Sequence, residues 1–163
     1  MSKREVRDYA ERPLPPDAAR RILEAGRVSG SSRNRQARRF VVLRDRALVE
    51  RAAGAVYEPS NLLGAALVVS IVVSGKGPVA FDAGRAAQNM MLAAWNEGIG
   101  SCPNGLADRD LLAAELALAE GEQVAIVLSF GYPARPLDPE RRSPEEWLER
   151  ADRLPFEEVV EER

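Results

Sequence analysis

The stretch Phe81–Gly100, FDAGRAAQNMMLAAWNEGIG, is the segment around which the rest of the chain is organised. It has no glycine, proline or β-branched residue between Arg85 and Glu97, and most of its side chains there are apolar. This pattern predicts a central helix that is buried on nearly all sides, capped by Asp82 and ended by Gly98. Its many alanines would allow close approach of another backbone, either a sheet of the same chain or the same helix of a second copy.

Length and composition predict one globular domain over residues 1–163. A chain of 163 residues with 45% hydrophobic and 29% charged residues is expected to bury roughly 70% of its unfolded surface. The longest apolar run, Ala65–Val73, is much shorter than the segment needed to cross a membrane. The sequence therefore predicts a soluble, cytoplasmic protein with no membrane partner.

The cysteine and histidine content excludes several kinds of site. The chain has a single cysteine, Cys102, and no histidine. An intrachain disulfide framework, a cysteine-rich or histidine-ligated metal site and a histidine-dependent catalytic triad are therefore all excluded. If the protein is an enzyme, a group other than histidine performs the chemistry, and we predict no metal.

The remaining elements are predicted from periodicity and from capping or turn residues. Helices are expected at 17–28, 47–57, 108–118 and 144–151, with a capping box formed by Ser143 and Glu146 in the last of them. Strands are expected at 40–43, 66–73 and 123–130. Residues 29–36 and 101–105 are expected to be loops.

Cations and hydrogen-bond donors are concentrated on three short segments. Cations suit a phosphate group, whereas hydroxyl, amide and exposed backbone N–H groups suit the edge of a polar planar ring. The candidate binding residues on these segments are Lys3, Arg4 and Arg7, then Ser31, Ser32 and Asn34, and finally Pro103, Asn104 and Gly105.

Five motifs follow one another along the chain. They are Lys3–Tyr9 (KREVRDY), Ser29–Phe40 (SGSSRNRQARRF), Asp82–Ser101, Gly131–Pro133 (GYP) and Arg153–Val160 (RLPFEEVV). In their order and residue types they resemble the motifs of the flavin-dependent nitroreductase family, and the resemblance covers about the whole chain.

This resemblance implies an α+β, nitroreductase-like fold with a central, mostly antiparallel sheet flanked by helices, in an intertwined homodimer with two FMN sites at the interface. It implies that Lys3, Arg4 and Arg153 hold the FMN phosphate and that Arg7 lies near the pyrimidine edge of the ring. Ser31, Ser32 and Asn34 would come from the partner chain, and Pro103, Asn104 and Gly105 would face flavin N5. The flavin itself would accept the hydride at N5, so no catalytic side chain is implied.

The expected function is an FMN-dependent oxidoreductase that takes electrons from NADH or NADPH. By ping-pong kinetics it would pass them to a nitroaromatic, a quinone or a similar small acceptor. One alternative is a flavin-binding or flavin-storing protein with little turnover. A nucleic-acid partner is disfavoured, because the arginine-rich run Arg33–Arg46 spans a loop, a strand and a turn rather than one helix face.

Overall fold

The computed structural model describes residues 3–136, 138 and 141–163. The described chain divides into two compact units, which are residues 4–135 and a smaller unit made of Lys3 and the described residues after Arg135. The larger unit contains the sheet and the first five helices. That residues 1–163 form one domain stays a prediction.

The sheet has four strands in the order β1-β2-β4-β3, and each neighbouring pair is antiparallel. β2 is buried continuously from Leu67 to Val73, because helices cover both faces of the sheet. This confirms the central strand predicted from the apolar run. The strands are β1 (Arg38–Leu43), β2 (Leu67–Ser74), β3 (Gly100–Asn104) and β4 (Glu122–Gly131).

Five helices pack on the two faces of this sheet. Two of them pack on one face with a core built around Ile22 and Met90, and the other three pack on the opposite face around Leu62 and Leu112. The predicted fold class, an antiparallel sheet flanked by helices, is confirmed; the homodimer stays a prediction. The first face holds α1 (Pro16–Arg27) and α4 (Val79–Asn96), and the second holds α2 (Arg46–Ala53), α3 (Ser60–Leu63) and α5 (Arg109–Glu115).

The prediction of a loop at 101–105 is wrong, because residues 100–104 form the edge strand β3. Pro103 is paired in register with Leu128 of β4, and its lack of an N–H group is tolerated because β3 lies at an edge. The turn-forming composition of this segment is outweighed by its pairing with a strand more than twenty residues further along the chain.

The central helix begins earlier than predicted and is more exposed. Asp82 is not its cap: α4 starts at Val79, and Asp82 lies in its first turn. Gly98, with φ of 70°, follows the end of the helix as predicted. Phe81 and Leu92 are 67% and 46% exposed. One partly apolar face of the helix is therefore not covered by the rest of the described chain.

Two other helices end sooner than predicted. α2 ends at Ala53, before Gly54, and α5 ends at Glu115. The chain turns after α5 through Ala117, which has a left-handed φ of 47° that a continuing helix does not allow.

The N-terminal segment lies close against the sheet because two glycines make room for it. A Cβ atom on Gly100 would lie 2.6 Å from Cβ of Val6, and one on Gly131 would lie 2.7 Å from the ring of Tyr9. Both distances are shorter than van der Waals contact. These glycines therefore allow residues 6–9 to lie where they do.

The smaller unit contains α6 (Pro144–Ala151) and α7 (Phe156–Val159). α6 begins with the predicted capping box, since Ser143 and Glu146 exchange side-chain and backbone hydrogen bonds. Several large apolar side chains of this unit are exposed: Leu148, Leu154, Phe156, Val159 and Val160.

None of the described helices combines the length and the apolar character required to span a bilayer.

We predict that Gly100→Ala destabilises the protein by about 1–3 kcal/mol, because the added methyl group overpacks against Val6. Gly64→Ala is the matched control, since its Cβ would lie 3.6 Å or more from its neighbours. Urea unfolding of both variants measures the difference. Equal stability would show that residues 6–9 do not hold this position in solution.

Candidate functional site

Arg4 and Arg7 lie beside the start of β3. Glu5 forms a parallel bridge with Ser101, and the Val6 N–H donates to the Ser101 carbonyl oxygen at 3.0 Å. Arg4, half-buried, and Arg7, exposed, flank this contact. Two of the predicted FMN-binding cations therefore lie along the same strand that contains residues 103 and 104.

Lys3 and Arg153 belong to the smaller unit. Lys3 is half-buried, and Arg153 is exposed after the end of α6. The phosphate-binding role of these two residues stays a prediction.

The residues at the end of β3 point in opposite directions. Pro103 is exposed and lines a cleft on the α4 side of the sheet, whereas Asn104 is only 3% exposed. This alternation follows from the pleat of the strand. The Asn104 side chain is turned into the protein, so any contact of residue 104 with a ligand would have to use its backbone.

Asn104 is part of a buried polar network. Its Nδ2 donates to the carbonyl oxygens of Cys102 at 3.1 Å and Val127 at 3.3 Å and to Ser129 Oγ at 3.1 Å. Its Oδ1 accepts from Asn61 Nδ2 at 2.9 Å. All of these bonds lie on the α2, α3 and α5 side of the sheet.

Tyr9 extends the network to the N-terminal segment. Its hydroxyl lies 3.0 Å from Ser129 Oγ and donates to the Ser129 carbonyl oxygen at 3.2 Å. Burial raises the pKa of Tyr9 far above its usual value of 10.0. Tyr9 is therefore a neutral hydrogen-bonding group rather than an acid at physiological pH. We name Tyr9, Asn61, Asn104 and Ser129 the Tyr9–Asn104 network.

The donor loop Ser31–Gln36 has an unusual backbone. Arg33, Asn34 and Gln36 have φ values of 51°, 53° and 52°, although none of them is glycine. Left-handed non-glycine residues persist only where the surrounding structure fixes them. One fixing contact is within the loop, where the Gln36 N–H donates to Ser31 Oγ at 2.9 Å.

A second fixing contact comes from Asp82, whose role the sequence reading missed. Asp82 Oδ2 accepts from the Ser32 N–H at 2.9 Å, and its side chain is buried at 6% exposure. Its Oδ1 is also buried and has no hydrogen-bond partner within the described part of the chain. Among the described residues, no group of three or more acidic or cysteine side chains that could hold a metal ion is found.

Within residues 4–135 the predicted binding residues form two groups. The group on the N-terminal segment and β3 lies at one edge of the sheet, and the group on the loop Ser31–Gln36 precedes β1 at the other edge. With strands about 4.8 Å apart, the two edges are about 14 Å apart. We call these groups the β3 half-site and the loop half-site; one chain does not bring them together.

A cleft of about 500 Å³ lies between α4 and the β3 and β4 edge of the sheet. Small side chains of α4, including Ala83 and Ala87, line one wall, and Pro103 lines the other. Its polar lining includes Gln123 and Arg109, and Arg109 Nη1 donates to the Val124 carbonyl oxygen at 3.0 Å. The volume is within the range of small-molecule sites.

The sequence profile of the nitroreductase family matches residues 1–72 and 78–132, which is most of the chain. The chain belongs to the nitroreductase family. This confirms the resemblance seen in the ordered motifs, and it supports an oxidoreductase activity.

Among nitroreductase relatives, a protein from Archaeoglobus fulgidus named as an NADH dehydrogenase/NAD(P)H nitroreductase is 29% identical over 142 residues. The match covers 81% of this chain and 82% of that protein.

Solved structures share the nitroreductase fold. An FMN-dependent nitroreductase from Clostridium difficile superposes with a TM-score of 0.79 at 22% identity, over 88% of this chain and 90% of that chain. An NADPH:FMN oxidoreductase from Vibrio harveyi, complexed with NAD+, superposes with a TM-score of 0.84 at 22% identity. That match covers 99% of this chain and 74% of that chain.

We predict that Asp82→Ala makes the loop Ser31–Gln36 of this nitroreductase-family protein more mobile, because the hydrogen bond from the Ser32 N–H to the buried carboxylate is lost. The amide of Ser32 should exchange its hydrogen at least about tenfold faster, as measured by hydrogen–deuterium exchange. Asp108→Ala is the control, since Asp108 Oδ1 accepts from the Leu111 N–H at 2.9 Å on α5, remote in the sequence from the loop. If both variants left exchange in the loop unchanged, Asp82 would not fix it.

Proposed function

We propose that this protein is an FMN-dependent oxidoreductase of the nitroreductase family. In this proposal it takes electrons from NADH or NADPH and reduces a nitroaromatic, a quinone or a similar small acceptor. Its working form is a homodimer with two flavin sites, each built from both chains.

The observation that carries the proposal is the separation of the two half-sites on opposite edges of one sheet. A single planar ligand cannot contact both, because β2, β4 and the packed helices lie between them. A second copy of the chain could bring its loop half-site to the first copy's β3 half-site. The separation thus supports a site shared between two protomers.

Exposed apolar side chains support the same homodimer. Phe81 and Leu92 of α4 are exposed although this helix belongs to the main core. The smaller unit exposes Phe156 and Val159, and it is too short to form a core alone. Contact with a second copy would bury these side chains, and apolar area of this kind is typical of obligate dimers.

The types of donor present fit FMN. Lys3, Arg4 and Arg153 offer charges for a phosphate, and Arg7 at the pyrimidine edge of the ring would favour negative charge there. Ser31, Ser32 and Asn34 offer hydroxyl and amide groups for the ring edge.

The β3 half-site also fits a flat ring. Pro103 gives the cleft a rigid apolar wall, and small side chains of α4 stand opposite. The backbone at Asn104 and Gly105 follows directly, and this segment is the one predicted to face flavin N5.

Bound FMN would supply the two-electron chemistry that no side chain of this histidine-free chain provides. The chain's own contribution is to bind the cofactor, to orient it and to leave one face open. If donor and acceptor use that same face in turn, NAD(P)⁺ leaves before the acceptor binds, which is the ping-pong pattern.

A nucleic-acid role is less well supported, because arginines of the run Arg33–Arg46 make contacts within the chain. Arg38 donates to the Ser29 carbonyl oxygen, and Arg39 pairs with Glu122 at 2.7 Å. Hydrogen bonds from Arg39 and from the Ala119 N–H lower the pKa of Glu122 from 4.5 to about 2.

A flavin-binding or flavin-storing protein with little turnover is the second candidate. Part of the Vibrio harveyi oxidoreductase has no counterpart in this chain, since the match covers 99% of this chain but only 74% of that chain. A site with fewer enclosing elements could bind flavin and yet react slowly with an acceptor.

We expect the purified protein to be yellow and to release FMN, not FAD, on heating. Stopped-flow mixing with NADH or NADPH should bleach the flavin absorbance, and a quinone added afterwards should restore it. Steady-state rates should give parallel double-reciprocal lines. Protein that takes up no FMN would refute the proposal, and bound flavin that stays oxidised with both donors would favour storage.

A mixed-dimer experiment tests whether the site is shared. One variant combines Arg4→Ala with Arg7→Ala, and the other combines Ser32→Ala with Asn34→Gly, which suits the left-handed backbone. Each homodimer should lose tight FMN binding, whereas a heterodimer purified with two different tags has one intact site and should bind about one FMN.

A heterodimer without a tight site would show that both groups act within one chain. A wild-type monomer in light scattering would refute the shared site directly. The wild-type dimer, which should bind about two FMN, is the reference for both measurements.

A further inference from the structure

The side chain of Asn104, near the end of the edge strand β3, makes four hydrogen bonds. Its two amide hydrogens are shared among three acceptors, and its carbonyl oxygen accepts from Asn61 at 2.9 Å. Two of its bonds, to the Val127 carbonyl oxygen and to Ser129 Oγ, reach β4. The side chain of Asn104 therefore adds hydrogen bonds between β3 and β4 to those of the backbone ladder.

The same network reaches the N-terminal cations through Ser129. Ser129 Oγ lies 3.0 Å from the Tyr9 hydroxyl and 3.1 Å from Asn104 Nδ2, so one hydroxyl contacts both side chains. Tyr9 follows Arg7 by two residues, and it is fixed in place against Gly131. A continuous set of buried hydrogen bonds thus joins the segment that contains Arg4 and Arg7 to the segment Pro103–Gly105.

We propose that Tyr9 and Asn104 are positioning residues that hold the two parts of the β3 half-site in one fixed arrangement. This inference rests on the proposed FMN function. In it, the N-terminal cations set the place of the phosphate and the backbone of residues 103–105 sets the place of the ring. The side chain of Asn104 does not contact the flavin in this proposal. It holds the backbone of residues 103–105 in position through its hydrogen bonds.

Because the network is buried, removing one of its groups should strongly disturb the backbone around it. Tyr9, Asn61, Asn104 and Ser129 are each less than 9% exposed. Water therefore cannot easily replace a missing partner, and removal of one group leaves buried donors or acceptors unsatisfied. The adjacent backbone would move to satisfy them, and residues 103–105 are the nearest segment at an edge.

The test uses two nearly isosteric substitutions in the full-length protein. Tyr9→Phe removes only the hydroxyl, and Asn104→Asp replaces the donating amide by an acceptor that faces two carbonyl oxygens. Leu112→Ala is the control, because Leu112 is fully buried on the same side of the sheet and belongs to the core rather than to the network. Its loss lowers stability without changing these hydrogen bonds.

Three quantities are measured for each variant: the FMN dissociation constant by fluorescence titration, the midpoint potential of the bound flavin, and the melting temperature. Tyr9→Phe and Asn104→Asp should weaken FMN binding roughly ten- to hundredfold and shift the potential. Leu112→Ala should lower the melting temperature without either change. The double variant should bind FMN about as weakly as the weaker single variant, because both act through Ser129.

The outcomes separate this inference from the proposed function. If the wild type binds FMN and the two variants keep its affinity and potential, the positioning role is refuted and the function stands. If Leu112→Ala changes the FMN affinity and the potential as much as Tyr9→Phe and Asn104→Asp do, the network only contributes to core packing and the positioning role is refuted. If the wild type takes up no FMN, both proposals fail. Should Asn104→Asp not fold, Tyr9→Phe alone decides between the first two outcomes.

Discussion

The pairing of β4 with two neighbours is the interaction on which the rest of the structure depends. β4 joins β2 on one side and β3 on the other, so it connects the buried centre of the sheet to the edge where the β3 half-site lies. It also supplies Ser129 and the Val127 carbonyl oxygen to the buried network. β4 thus fixes the position of the β3 half-site relative to the core.

Much of the fold could be predicted from local pattern. The continuous apolar run of β2, the period of α1 and the capping box of α6 each depend on residues that are neighbours in the sequence. The predictions that fail depend on distant partners. Ser101–Gly105 has the composition of a turn, yet pairing with β4 makes most of it a strand. Asp82 looks like a helix cap, yet its carboxylate binds an amide fifty residues earlier in the chain.

In the candidate site, local motifs identify candidate residues, but they do not predict the orientation of the side chains. The motifs selected Ser32, Pro103 and Asn104 as binding residues, and the structure places all three at sheet edges or loops. Motifs do not say where a side chain points. The pairing of Asn104 with Val127 turns its amide to the inner side of the sheet, and this register is a property of two strands rather than of one segment. The hydrogen bonds of Tyr9 are equally invisible to local pattern, because its partner Ser129 is 120 residues away.

The alternation of side chains along β3 has a consequence for variation in this protein. Pro103 contributes to the cleft, and its neighbour Asn104 contributes only to the interior. A change at position 103 can alter the shape and polarity of the cleft while the hydrogen bonds behind the strand stay intact. The pleat of one short strand therefore separates a position that shapes the surface of the cleft from a position whose side chain bonds only to the interior.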